Sequence, residues 1–125
     1  MKPGEIGARV AAMSERLEIG EVPAVEVVLT VALHLMSASA VACGLSEDSG
    51  GESGETDDQT DLAEARILIT ALAGLVTAAA PSLGSIHAAP LRDGLSSLQR
   101  AFREASVIPD PPGMGPGEDL TGPVY

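Results

Sequence analysis

Twenty consecutive residues, Asp61 to Ala80 (DLAEARILITALAGLVTAAA), have essentially one reading and dictate what the rest of the chain must do. Leu62, Ala65, Ile69, Leu72 and Val76 recur at alternating steps of three and four, the repeat of one face of an α-helix. Leu68, Leu75 and Ala79 widen that stripe, so a helix over 61–80 must be covered from more than one side. Asp61 is a natural N-cap, and Glu64 three positions later completes a D-x-x-E variant of the capping box. Pro81, which lacks the N–H that an interior turn needs, is expected to end the helix.

Two further segments have the length to supply the cover. Residues 23–43 open on Pro23, whose missing N–H costs nothing in a first turn; Glu26 suits the positive helix end, and Gly44 follows as a left-handed cap. Val25, Val28, Leu29, Ala32, Leu35, Met36 and Ser39 form one stripe on it, and Val27, Val31, His34, Ala38 and Val41 form a second beside it. Residues 89–106, with Pro90 in the first turn, place Leu91, Leu95, Leu98, Phe102 and Ala105 on a narrow seam suited to one neighbouring helix. Arg92, Arg100 and Arg103 lie off that seam. Ala71, Gly74 and Ala78, set against Ala38 and Ala42, would let 61–80 and 23–43 approach closely as an antiparallel hairpin, so that Gly74→Leu would overpack the contact. Ile6, Val10, Met13 and Leu17 predict a shorter amphipathic helix over 5–18.

Between the helices, residues 46–60 (SEDSGGESGETDDQT) carry six acids and no base, too little hydrophobicity to offset the entropy of ordering, and read as a mobile acidic loop. Residues 109–125 hold five prolines and four glycines, which forbid regular helix or sheet and predict an extended or disordered tail. Leu120, Val124 and Tyr125 could anchor it on the helices or on a partner. The expected fold is therefore all-α: a small antiparallel hairpin or bundle of three to four helices forming a domain over 1–108, with the Pro/Gly-rich tail beyond it.

Eighteen acidic residues against seven basic ones, a formal charge of −11, argue against direct nucleic-acid binding, which draws its affinity from clustered Lys and Arg. One cysteine, Cys43, permits no intrachain disulfide, and the N-terminus has no secretory pattern, so the cytoplasm is the expected compartment. Val27 to Leu45 is free of formal charge over a length that could span a membrane. Thr30, His34, Ser37, Ser39 and Gly44 interrupt it without an aromatic girdle or flanking basic cluster, so no membrane is expected. With only Phe102 and Tyr125 as aromatic residues, the core is small, and self-association would help it.

Chemistry has few places to reside. His34 has Thr30 and Ala38 at the positions where a helical second ligand would sit, so a metal site would need His87 brought beside it. Cys43 falls at a helix C-terminus, where the dipole opposes a thiolate. Gly113, Gly115 and Gly117 follow no strand, and Lys2 is the only lysine, so no phosphate loop is present. The acidic loop does not fit the calcium-loop pattern in any register. No catalytic, cofactor-binding or metal-ligating residue is assigned, no cofactor is expected, and the chain is not expected to be an enzyme.

Taken together, IGEVPAVEVVLTVALHLMSASAVACGL, QTDLAEARILITALAGLVTAAAP, HAAPLRDGLSSLQRAFREAS and GPGEDLTGPVY resemble the bacterial family called domain of unknown function 1844, in its actinobacterial form, over about residues 19–125. The resemblance rests on the order of these blocks, above all DLAEARILITALAGL and LRDGLSSLQRAFREAS. It implies a small cytoplasmic, mainly helical protein. It also suggests a link to translation, since such members are associated with gene neighbourhoods of an initiation factor and ribosomal proteins. It transfers no functional residue. The expected function is a non-enzymatic interaction or accessory protein with a protein partner, or a homodimer. The alternative is a small-molecule or metal-binding regulator using His34, His87 and the acidic residues.

Overall fold

A computed structural model describes residues 22–45 and 60–125. The helix expected over 5–18 and almost all of the acidic loop 46–60 lie outside the described residues. Within them the chain is helical, in the order α1 (Ala24–Ala42), α2 (Leu62–Leu83), α3 (Ser85–Ala105) and the short α4 (Glu118–Thr121). No strand occurs among the described residues.

The first helix begins and ends as its sequence dictates. The carbonyl of Pro23 accepts from the amides of Glu26 and Val27, and Gly44, at φ 84°, lets the amide of Leu45 return to the carbonyl of Ala40 at 2.8 Å. Asp61 caps α2, its Oδ1 accepting from the amide of Glu64 at 3.1 Å. The reciprocal half of the capping box is replaced: the amide of Asp61 donates to the carbonyl of Ala42 at 2.8 Å, tying the start of α2 to the end of α1.

The expected helix over 61–80 is corrected at its far end, because Pro81 lies inside α2. One turn from a terminus, a proline forfeits a single hydrogen bond, and the burial of Leu83 favours carrying the helix on. The expected helix over 89–106 also begins earlier, at Ser85, so Pro90 lies within it rather than in its first turn. Gly84 alone joins the two helices. Its amide donates to the carbonyl of Ala80 at 3.2 Å, and its carbonyl accepts from the amides of His87 and Ala88 at 3.2 and 2.9 Å. A backbone at φ 81° and ψ 159° is open essentially only to glycine, and this is what allows one residue to end one helix and start the next.

The core lies where α2 meets every other element, α1, α3 and α4. Ala65, Ile69, Leu72, Ala73 and Val76 of α2 are buried against Leu91, Leu95, Leu98 and Phe102 of α3 and against Ala32 and Ala42 of α1. Fully burying the larger of these is worth about 1.5 to 3 kcal/mol each, and the alanines contribute much less. Ala105, expected on the α3 seam, is exposed, and Gln99 is buried in its stead. The close approach expected around Gly74 is also corrected. Ala71 and Ala78 are exposed, and a Cβ at Gly74 would meet no atom within 4 Å, so these small residues make no close contact with α1.

Candidate functional site

Two regions carry polar or apolar groups that the core does not use: the docked C-terminal segment, and the outer face of the α1–α2 hairpin. The segment 109–125, expected to be extended or disordered, is ordered instead, and of its three expected anchors Val124 is buried. It folds back over α2 and α3, with Pro116, Gly117, Glu118 and Val124 buried. Prolines cannot supply ladder hydrogen bonds, and side chains supply them instead. Gln99, 1% exposed, donates through Nε2 to the carbonyl of Pro116 at 3.0 Å and to Oγ1 of Thr121 at 3.1 Å. Glu118 turns inward, and its Oε1 accepts from the amides of Gly113 at 2.9 Å and Val124 at 3.1 Å, closing the tail into a loop around one carboxylate oxygen. Gly117, at φ 76°, lies so close to α2 that a Cβ there would overlap the methyl group of Ala73.

Arginines fasten the near end of this segment. Arg66 pairs with Asp110 at 2.9 Å and lies 4.9 Å from the centre of the Phe102 ring, while Arg103 donates to the carbonyl of Asp110 at 2.6 Å. The ion pair is substantially exposed, so its own contribution is small, and the stacking on Phe102 gives the guanidinium its fixed direction. The arginine face of α3 is thus divided: Arg103 anchors the tail, Arg100 is exposed, and Arg92, itself exposed, borders an open cavity of about 340 Å³ between α2, α3 and α4.

The residues singled out from sequence fall elsewhere. His34 and His87 are both exposed, and among the described residues no three His, Cys, Asp or Glu side chains gather as a metal ion would require. Cys43 is buried, and burial pushes its thiol above the usual range, so it stays protonated at neutral pH. Sequence reasoning passed over Gln99 and Glu118. Gln99 sits one position from the apolar seam, and Glu118 is a single acid in a Pro/Gly run. Only the folded tail gives either of them partners.

The other region is apolar. Met36 of α1 extends to Gly94 of α3, which places α3 on one face of the α1–α2 hairpin. By helical periodicity the opposite face carries Val27, Val31 and Ala38 of α1 beside Ile67, Ala71 and Ala78 of α2, with the half-buried Leu68 and Leu75 between them. Val27 and Val31 are each 45% exposed and Ile67 is 63% exposed. Both α1 and α2 are long and apolar enough, by length and composition alone, to cross a membrane.

Comparison with known families gives a match over most of the described helices. Residues 24–104 fit the family described as Domain of unknown function (DUF1844). The chain belongs to this family. The matched region holds α1, α2 and nearly all of α3, so the docked tail of this DUF1844 protein lies beyond it. No curated protein and no solved structure matches the chain.

Proposed function

We propose that this DUF1844 protein is a non-enzymatic interaction module of the cytoplasm that works as a homodimer, with the outer face of the α1–α2 hairpin as its dimer surface. The observation that carries this reading is the exposed apolar face of the hairpin, where the α1 stripe Val27, Val31, His34, Ala38, Val41 holds no charge and the α2 stripe beside it has Glu64 only at its start. A closed dimer requires each surface to complement itself. This stripe meets that requirement: a second copy running antiparallel presents Val41 to Val27 and Ala38 to Val31, with His34 opposite its own counterpart. Two hairpins pressed together in this way form a four-helix arrangement, a common solution for helices that are apolar on both faces. The family resemblance favours an accessory role beside the translation machinery, which co-sedimentation with ribosomes surviving moderate salt would support.

Sedimentation of the full chain at tens of micromolar is expected to give twice the chain mass. Val31→Asp is expected to return the monomer with helical content unchanged. A monomeric wild-type chain overturns the reading. If Val31→Asp then lowers the Tm, another segment such as 5–18 covers the stripe; if the wild-type chain floats with phospholipid vesicles, the face meets a lipid surface.

A further inference from the structure

The cavity between α2, α3 and α4 has a composition unlike the surface around it. Its charged and hydroxylic rim consists of Arg92 and Ser96, one turn apart on α3, and Thr77 of α2. Among the described residues none of these three side chains has a hydrogen bond or ion pair. Thr121 and Gln99 close the far side and are committed to each other. Val76, Leu95 and Leu120 provide an apolar lining, and no carboxylate borders the cavity, although the chain carries a formal charge of −11. In a strongly acidic protein, one arginine and two unpaired hydroxyl donors here line a cavity without a carboxylate among its lining residues.

We infer that this cavity binds a small monocarboxylate with a short aliphatic chain, the carboxylate taken by Arg92 with help from Ser96 and Thr77, and the chain laid on Val76, Leu95 and Leu120. A guanidinium matches a carboxylate through two parallel N–H···O bonds, and hydroxyl groups complete the acceptor's lone pairs. One cation balances one negative charge, so a doubly charged anion is left under-neutralised. The lining rejects a wholly polar anion such as phosphate, because apolar surface would remain unfilled. A volume of about 340 Å³ is at the small end of ligand cavities and has room for a short-chain acid such as pentanoate. Leu120 and Thr121 belong to the docked tail, so the site exists only while that segment is folded onto α2 and α3. The inference is independent of the dimer reading, since the cavity lies on the α3 side of the hairpin.

The test is isothermal titration of the full chain with pentanoate, 1-pentanol and inorganic phosphate. Pentanoate is expected to bind one saturable site and to bind more tightly than either comparator. Arg92→Gln, at an exposed position where folding is not at stake, is expected to weaken pentanoate on the order of ten-fold. Arg100→Gln, on the same helix but away from the cavity, is expected to leave it unchanged. Absence of saturable pentanoate binding, equal binding of the alcohol, tighter binding of phosphate, or indifference to Arg92→Gln each overturns the inference.

Discussion

Ser39 is fully buried in α1, and its hydroxyl has no hydrogen-bond partner. An unsatisfied buried hydroxyl costs about 1 to 3 kcal/mol, whereas the methyl group of alanine fills nearly the same space without that cost. Ser39→Ala is therefore expected to stabilise the protein by about 1 kcal/mol, seen as a raised Tm; a fall in Tm would mean that the hydroxyl has a partner. Glu118 illustrates the opposite case at the same scale. It is a buried acid whose Oε1 holds two backbone amides at once, and Glu118→Ala would leave both donors without an acceptor. The expected cost is about 1 to 3 kcal/mol, concentrated in the tail, so hydrogen exchange at Val124 should accelerate while exchange in α2 stays slow. Equal acceleration throughout would show that the tail and the core unfold as one.

At the scale of elements, two glycines separate backbone need from packing. Gly84 needs its positive φ although nothing would crowd a Cβ there, and Gly84→Ala is expected to cost about 1 to 3 kcal/mol through strain alone. Gly74 is in ordinary helix with open space around it, and Gly74→Ala is expected to gain up to about 1 kcal/mol. Thermal melts of the two variants should move in opposite directions. The same pair shows what was legible in the sequence. The periodic positions Ala65, Ile69, Leu72, Val76, Leu91, Leu95, Leu98 and Phe102 are buried as their spacing requires, because three- and four-residue repeats encode a helix face directly. Helix ends at Pro81 and Pro90 were misread, since the cost of a proline depends on how many turns follow and on what those turns bury. The tail was only partly legible: Val124 stood out as an anchor and is buried, but the order of the segment also rests on Gln99 and Glu118 meeting backbone groups 17 and 6 residues away, which no helical repeat records. Of the cavity, Arg92, the stripe positions Val76 and Leu95 and the anchor Leu120 were each visible in advance, but not that they meet, which they do only once Leu120 is folded in.

For the whole molecule, the proposed dimer joins two chains that each carry a formal charge of −11, so long-range repulsion opposes what apolar contact favours. Raising the ionic strength from about 0.01 to 0.15 M shortens the screening length from about 30 to 8 Å and should tighten the dimer several-fold. Dissociation on adding salt, measured by sedimentation, would instead mean that ion pairs hold the copies together. The single-residue joint at Gly84 also bears on the order in which the molecule assembles. Contacts between α2 and α3 close across almost no chain, so this corner can form on the timescale of helix growth, before any distant segment has been recruited. Helix α1 and the proline-rich end must be drawn in from farther along the chain, and they add themselves to a corner that already exists.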